Sequence, residues 1–360
     1  MILLMTGASG AFGRGMVRAL ANCDGIEKIY AMGRRNGFDL SSSKIEFVPA
    51  DITEEITIPG KIRSELSAIL HAAAETRFSA PLRAARRVNV DGLANIVALV
   101  SRCPKLDRFG CLSTIYVAGK RTGQISENQL EHTAGFVNAY EQSKFEAEQF
   151  LHRQAAHLPV TIYRLSTIFG DSRTGAIVKA GAIHQALRFF YHSFVPMIPG
   201  TAKSLVDLIS SDYAIAAVSR LFCDKFEPGR TFHVCAANDA MPLGELLNAA
   251  RECFLRNRPE WRKRAIEMPA LVELGTFELF VRSIEEIGSP ALQQSVDATK
   301  YFAPQLAYPK TFDDAECARA LAGSGVERPV LQDFFPRVVK YLINEKWPVS
   351  LDILSRCERI

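Results

Sequence analysis

Tyr140 and Lys144 stand four residues apart in Tyr140-Glu141-Gln142-Ser143-Lys144. On a helix that spacing puts both side chains on one face. An ammonium held beside a phenol lowers the phenol's pKa from about 10 toward neutrality, so the phenol can give its proton to a carbonyl oxygen near pH 7. Two adjacent hydroxyls, Ser113 and Thr114, close the apolar run that starts at Phe109. The carboxyl ends of strands are where an open α/β sheet builds its site. A third set, Thr6-Gly7-Ala8-Ser9-Gly10-Ala11-Phe12-Gly13, follows the short apolar run Ile2 to Met5. A strand that turns sharply into a helix aims the first helical N–H groups at one spot, which favours a pyrophosphate. Gly7 permits the turn, Gly10 lets the backbone approach the phosphates, and Gly13 lets the helix pack close on the strand. Such glycine turns also occur for purely structural reasons, and Y-x-x-x-K pairs arise by chance; the signal is in the combination.

These groups require a parallel sheet to position them. Apolar runs of strand length occur at Ile2–Met5, Lys28–Met32, Ile45–Val48, Ala68–Leu70, Phe109–Ile115, Pro159–Arg164 and Thr231–Val234. Helical stretches separate them, among them Arg14–Leu20 and Pro81–Ser101, the latter with Leu82, Ala85, Val88, Leu93, Ile96 and Val100 as inward candidates. Leu205–Ile209 reads as a further strand, with an N-cap in Ser211-Asp212-Tyr213 opening the next helix. The second strand ends in Arg34-Arg35, with no acid to bind a ribose 2′-OH. Guanidinium groups pair bidentately with a 2′-phosphate, which points to NADP(H) over NAD(H); solvated surface arginines would look the same. Asp51, before Ile52 at the third strand's end, either accepts from an adenine amino group or caps the turn. Ala72, Ala73 and Ala74 are small enough for the chain to pass beneath a cofactor. Asn89, within the long helix, is expected to tie to neighbouring backbone and is counted with the cofactor-side residues. Ser166, Thr167 and Ile168 begin a polar loop, Leu165–Gly175, expected to cross the site mouth.

Beyond that loop, Ile183, Leu187, Phe190 and Phe194 fall at helical spacing and form either a pocket wall or lobe core. From about residue 236 prolines interrupt mostly helical sequence. The apolar stretch with Val272, Leu274, Phe277, Leu279, Phe280 and Val281 is expected to cover a substrate cavity. Arg256, Arg258, Arg262, Lys263 and Arg264 form a basic cluster, either a solvated face or a docking patch for a phosphate. The expected architecture is α/β, a doubly wound Rossmann-like parallel sheet, with a smaller, mainly helical substrate lobe. Residues 1–171 and about 205–235 form the dinucleotide domain, 172–204 and about 236–345 the lobe, and 346–360 a tail.

The 360 residues are 48% hydrophobic and 23% charged, and the net charge of +4 does not point to nucleic acid. No run has the length of a membrane span. The eight cysteines are scattered without a C-x-x-C pair, and the seven histidines form no H-x-x-x-H pair, so reduced thiols in a cytoplasmic protein without a metal are expected.

The order of these motifs resembles that of an extended short-chain dehydrogenase/reductase. Within that group the stretches ILHAAAETRFSAPLRAARRVNVDGLANIVALV, YEQSKFEAEQFL and TIYRLSTIFGDSRTG are similar to the thioester reductase and fatty acyl reductase branch. The likeness covers roughly residues 1–235, with Leu93 and Glu141 in place of a common Thr and Gly. It implies a triad of Thr114, Tyr140 and Lys144, Thr114 being selected over Ser113 by its place five residues before Gly119. It also implies that Lys144 holds the nicotinamide ribose. The expected reaction is hydride transfer to an acyl thioester, giving aldehyde or alcohol, or to the related aldehyde. An acyl carrier protein and a homodimer partner stay open. The competing readings are a nucleotide-sugar epimerase or dehydratase, a hydroxysteroid or ketone dehydrogenase, and a non-catalytic dinucleotide sensor.

Overall fold

The computed structural model describes residues 1–35, 42–154, 157–257, 268–288, 290–345 and 347. The chain opens β1 (Ile2–Thr6), α1 (Ala11–Ala21), β2 (Lys28–Gly33), β3 (Ile45–Pro49), α2 (Gly60–Glu65), β4 (Ala68–His71), α3 (Leu82–Arg86), α4 (Gly92–Val100) and β5 (Arg108–Thr114). It continues through β6 (Gly123–Ile125), α5 (Ala139–Gln154), β7 (Val160–Leu165), β8 (Thr167–Gly170), α6 (Ala182–Tyr191), β9 (Met197–Pro199), β10 (Leu205–Val206), β11 (Leu208–Ser210), α7 (Ser211–Cys223) and β12 (Thr231–Val234). Seven of these strands form one parallel sheet in the order β12-β7-β5-β4-β1-β2-β3. Leu3 of β1 pairs with Ile29 on one side and Ala68 on the other, so the strand order reverses beside β1. That switch point is where an α/β sheet opens a crevice.

Helices cover both faces, which is why the strands read as continuous apolar runs. Leu3 and Met5 pack with Met16, Leu20, Val218 and Phe222 beneath α1 and α7. Leu4, one residue out of phase, packs with Ile69, Leu93, Ile96 and Leu151 beneath α4 and α5. Each such fully buried leucine contributes roughly 1.5–3 kcal/mol relative to exposure.

Four local expectations are corrected. The Pro81–Ser101 helix is interrupted by a π-helical turn, Arg87–Asp91, that carries the buried Asn89. The Leu165–Gly175 loop contains β8, which pairs in parallel with β11. The run Leu205–Ile209 splits at Asp207, because that buried carboxylate turns to accept from the backbone N–H groups of Ala236 (2.8 Å) and Ala237 (3.1 Å). The N-cap of α7 is Ser210, whose hydroxyl accepts from Tyr213 N, one residue earlier than expected.

The rest of the chain adds β13 (Met241–Pro242), α8 (Leu243–Asn257), β14 (Ala270–Val272), α9 (Leu274–Ile287), α10 (Pro290–Thr299), β15 (Lys310–Phe312), α11 (Ala315–Leu321) and α12 (Leu331–Asn344). Leu187 and Phe190 of α6 share a core with Leu246 and Phe254 of α8 and Phe335 and Val338 of α12. The helix carrying that stripe ends at Tyr191, so Phe194 falls outside it and is exposed. Pairing of β15 with β6 stitches the late chain onto the loops after β5. Cys317 and Leu321 of α11 pack back into the core beneath α1 and α7. Arg256 pairs with Glu252 at 2.8 Å; Arg258, Arg262, Lys263 and Arg264 lie outside the described residues, as does the tail except Trp347. Among the described residues no helix is long and apolar enough to cross a membrane.

Candidate active site

The glycine turn is built by close approach. Gly7 has φ +66°, and a Cβ there would lie 2.5 Å from Ala73 N; at Gly13 it would lie 2.1 Å from the Gly7 carbonyl oxygen. The extended Gly10 opens α1 with no side-chain cap and no acid in the first turn. The first N–H groups of α1 are therefore left to the turn's concavity, an anion site. Thr6 ties the exits of β1 and β4 together. Its Oγ1 accepts from Ala72 N (3.1 Å) and Ala73 N (3.2 Å), so its proton goes to His71 Nδ1 at 2.8 Å. Burial, with the nearby Lys144 charge, drives the His71 pKa down to about 3, which keeps that acceptor neutral. Ser9 presents its carbonyl to Arg14 Nε at 3.1 Å. These residues fit the diphosphate of a dinucleotide: the cradle has room for backbone alone, and uncapped N–H groups face it.

Arg34 and Arg35 are exposed just past β2. Past β3, Asp51 Oδ1 accepts from Thr53 N and Thr53 Oγ1, each at 2.9 Å. Those bonds, joined by the Arg34 and Arg87 charges, hold its carboxyl below the usual range. Turn capping, one of the two roles read for Asp51, is thus present. The Ile52 carbonyl accepts from Asn95 Nδ2 at 2.9 Å. Asn89 accepts from Glu75 N (2.8 Å) and donates to Glu75 O (3.1 Å) and Ser143 Oγ (2.9 Å). It thereby fixes the β4 exit against α5, beneath the site rather than in its lining.

A cavity of about 700 Å³ opens at the carboxyl ends of the strands and gathers Ala11, Phe12, Ala72, Ala74, Thr114, Tyr140, Lys144, Ser166, Thr167 and Ile168. Thr114 ends β5, and Tyr140 and Lys144 share one face of α5. The two neighbouring hydroxyls diverge. Both residues line the cavity, but Ser113 Oγ donates to Glu148, which is buried with Arg164 in an ion pair at 2.8 Å, while Thr114 Oγ1 accepts from Tyr116 N at 3.2 Å and is hydrogen-bonded with Tyr140. The expected lowering of the Tyr140 pKa is corrected. Loss of surrounding water pushes it up to about 12, against an opposing hydrogen bond with Thr114, and Lys144 Nζ is held on the Leu112 carbonyl at 2.8 Å. A phenol with that pKa keeps its proton at neutral pH, the state a proton donor needs.

The far wall is apolar, with Ile183, Leu187, Phe190, Leu243, Leu246 and Leu247. The cover differs from the expectation. Residues 297–312 close the cavity, whereas Leu274, Phe277 and Val281 of α9 line a separate hollow with Lys120 and Tyr308, and Leu279 is exposed. The ring of Phe78, passed over by the sequence reading, lies 5.5 Å from that of Tyr140 at the mouth. Asn138-x-x-Glu141 was also legible as a helix start: Asn138 Oδ1 accepts from Glu141 N at 3.0 Å.

A profile of the NAD-binding family described as "Male sterility protein" matches residues 36–218. The polyketide synthase-nonribosomal peptide synthetase ffsA of Aspergillus flavipes is 27% identical over 184 residues, 47% of this chain and 4% of that protein. The fatty acyl-CoA reductase wat of Drosophila melanogaster is 24% identical over 231 residues, 49% of this chain and 45% of that protein. The chain thus spans less than half the length of either relative. The crystal structure of the terminal R domain from the myxalamid PKS-NRPS pathway superposes with a TM-score of 0.78 at 22% identity, covering 96% of this chain and 91% of that one, a likeness of fold.

Proposed function

As the chain belongs to the male sterility protein family, we propose that it is an NADP(H)-dependent reductase of acyl thioesters, or of the aldehydes they yield. The observation that carries the reading is the convergence of Thr114, Tyr140 and Lys144 on a cavity whose opposite wall is apolar. When bound, the dinucleotide supplies the hydride. The first turn of α1, from Gly10 to Gly13, would hold its phosphates, with Arg34 and Arg35 at a 2′-phosphate and Asp51 and Ile52 beside the adenine. Lys144 and the Ser166–Ile168 strand exit would flank its reactive end.

The remaining chemistry falls to the chain's own side chains. The hydroxyls of Thr114 and Tyr140 face one space and can donate to a single carbonyl oxygen, so charge that develops there meets two preoriented dipoles. Tyr140 then gives its proton to that oxygen. With a thioester the product is a hemithioacetal, which releases thiol and aldehyde. Lys144, on the same face of α5 as Tyr140, is fixed at the site by donating to the Leu112 carbonyl at 2.8 Å. The apolar wall takes the acyl chain, and each added methylene contributes about 0.8 kcal/mol until the space is filled.

The reading is supported by the names of the relatives, fatty acyl-CoA reductase and PKS-NRPS proteins, and by the absence of an acid where the arginine pair stands. It also suits a cytoplasmic protein that takes its substrate from coenzyme A or a carrier protein. The test is NADPH consumption over a series of acyl-CoAs and aldehydes with product identification. kcat/KM should climb with chain length and then level. A flat profile, together with turnover of a UDP- or GDP-sugar, would replace this reading by the sugar-nucleotide one.

A further inference from the structure

One short segment of the late chain touches both backbone elements that carry the candidate donors. Tyr140 is the second residue of α5, and Asn138 and Glu141 cap that helix's start. Glu141 is 1% exposed. Its Oε2 accepts from Val137 N (3.0 Å), and its Oε1 accepts from Asn138 Nδ2 (3.0 Å) and Gln305 Nε2 (2.5 Å). Asn138 Nδ2 also donates to the Tyr301 carbonyl at 2.9 Å. On the other side, Lys310 Nζ donates to Gln305 Oε1 at 2.8 Å and to the carbonyl of Gly119. Gly119 ends the 3-10 turn Ile115–Ala118 that follows Thr114 directly. Tyr301, Gln305 and Lys310 themselves line the cavity.

We propose that Glu141, Gln305 and Lys310 are positioning residues: a two-point clamp through which the cavity's cover sets the relative placement of Tyr140 and Thr114. The clamp rests on the reductase reading for its purpose. Its geometry explains why a carboxylate replaces the small residue expected beside the tyrosine. Tyr140 and Thr114 lie on separate elements, α5 and the end of β5, and the clamp reaches both through hydrogen bonds to groups the catalytic step does not use. A substrate pressing on residues 301–310 therefore acts on both donors at once.

The clamp has a pH signature. Burial pushes the Glu141 carboxyl up to about 7 and the Lys310 ammonium down to about 8. The other titratable groups facing them are Tyr116 and Tyr140 toward Glu141, and Arg121 and Tyr308, whose ring centroid is 5.8 Å from the ammonium, toward Lys310. Both clamp charges are present together only between those values, so kcat should fall on either side. Glu141→Gln should remove the acid limb and Lys310→Met the alkaline limb, a change that a merely structural role would not produce. Gln305→Leu removes the bonds to Glu141 and to Lys310 that join the two arms of the clamp. It should lower kcat about 10- to 100-fold while leaving KM for NADPH nearly unchanged, as misplacement of reacting groups does. In the NADPH-bound protein it should also speed hydrogen exchange in both 115–121 and 138–142. Unchanged exchange in either segment, or an unchanged pH profile in Glu141→Gln and Lys310→Met, overturns the clamp. Exchange needs no turnover, so a wild-type protein that reduces none of the substrates overturns the reductase reading and leaves the clamp to be decided by exchange.

Discussion

Gly13→Ala puts the packing argument at risk directly. The new Cβ would sit 2.1 Å from the Gly7 carbonyl oxygen and 2.9 Å from Ala8 Cα. Both neighbours are backbone, so no side chain can rotate away, and α1 must shift off the turn that follows β1. Overpacking of this kind costs about 1–3 kcal/mol of stability. The same shift moves the N–H groups of the first turn away from the phosphate site. Losing one or two charge-assisted hydrogen bonds, at roughly 1.5–3 kcal/mol each, weakens NADPH by at least about tenfold. Fluorescence titration gives the Kd, and urea denaturation of the ligand-free protein gives the stability. Gly275→Ala is the control. It lies in α9 with nothing within 4 Å of the added Cβ, and should gain about 0.5–1 kcal/mol without touching cofactor binding. A Gly13→Ala protein with wild-type Kd and stability would refute the reasoning, because it would mean that the helix and turn are not in contact as described.

Two further outcomes follow from the same geometry. Arg34→Ala with Arg35→Ala should weaken NADPH by about 2–4 kcal/mol and leave NADH nearly unchanged, measured as paired Kd values; equal losses would show that the arginines do not read a 2′-phosphate. Ala186→Phe adds a ring to the cavity wall on α6 and should shorten the longest acyl-CoA that gains from another methylene; an unchanged chain-length profile would place the acyl chain elsewhere.

The sheet was legible because its signals are local. Buried parallel strands are short apolar runs, and Gly7, Gly10 and Gly13 mark a turn that only backbone can enter. What failed depends on partners distant in sequence. Asp207 breaks a strand because Ala236 and Ala237 present their N–H groups to it. The Tyr140 pKa follows from burial, with the Glu141 and Glu148 charges adding to it against the Thr114 hydrogen bond, and a four-residue spacing does not reveal burial. The cover of the cavity was sought in the most apolar late stretch, yet it is the mixed segment 297–312, fixed by Glu141 and by β6. The divergence of Ser113 from Thr114 rests on Glu148 and Arg164, one on α5 and one on β7, and no pattern within Phe109–Ile115 could show it.

The central claim is that Tyr140 gives the proton in a reduction carried out in this cavity. Steady-state kinetics of Tyr140→Phe on a medium-chain acyl-CoA, with NADPH affinity measured alongside, tests it most directly. The hydroxyl is lost while the ring that packs on Phe78 remains. kcat should fall about 100-fold or more, the scale of general acid catalysis, with NADPH affinity within a few-fold of wild type. Turnover near the wild-type rate would contradict the account.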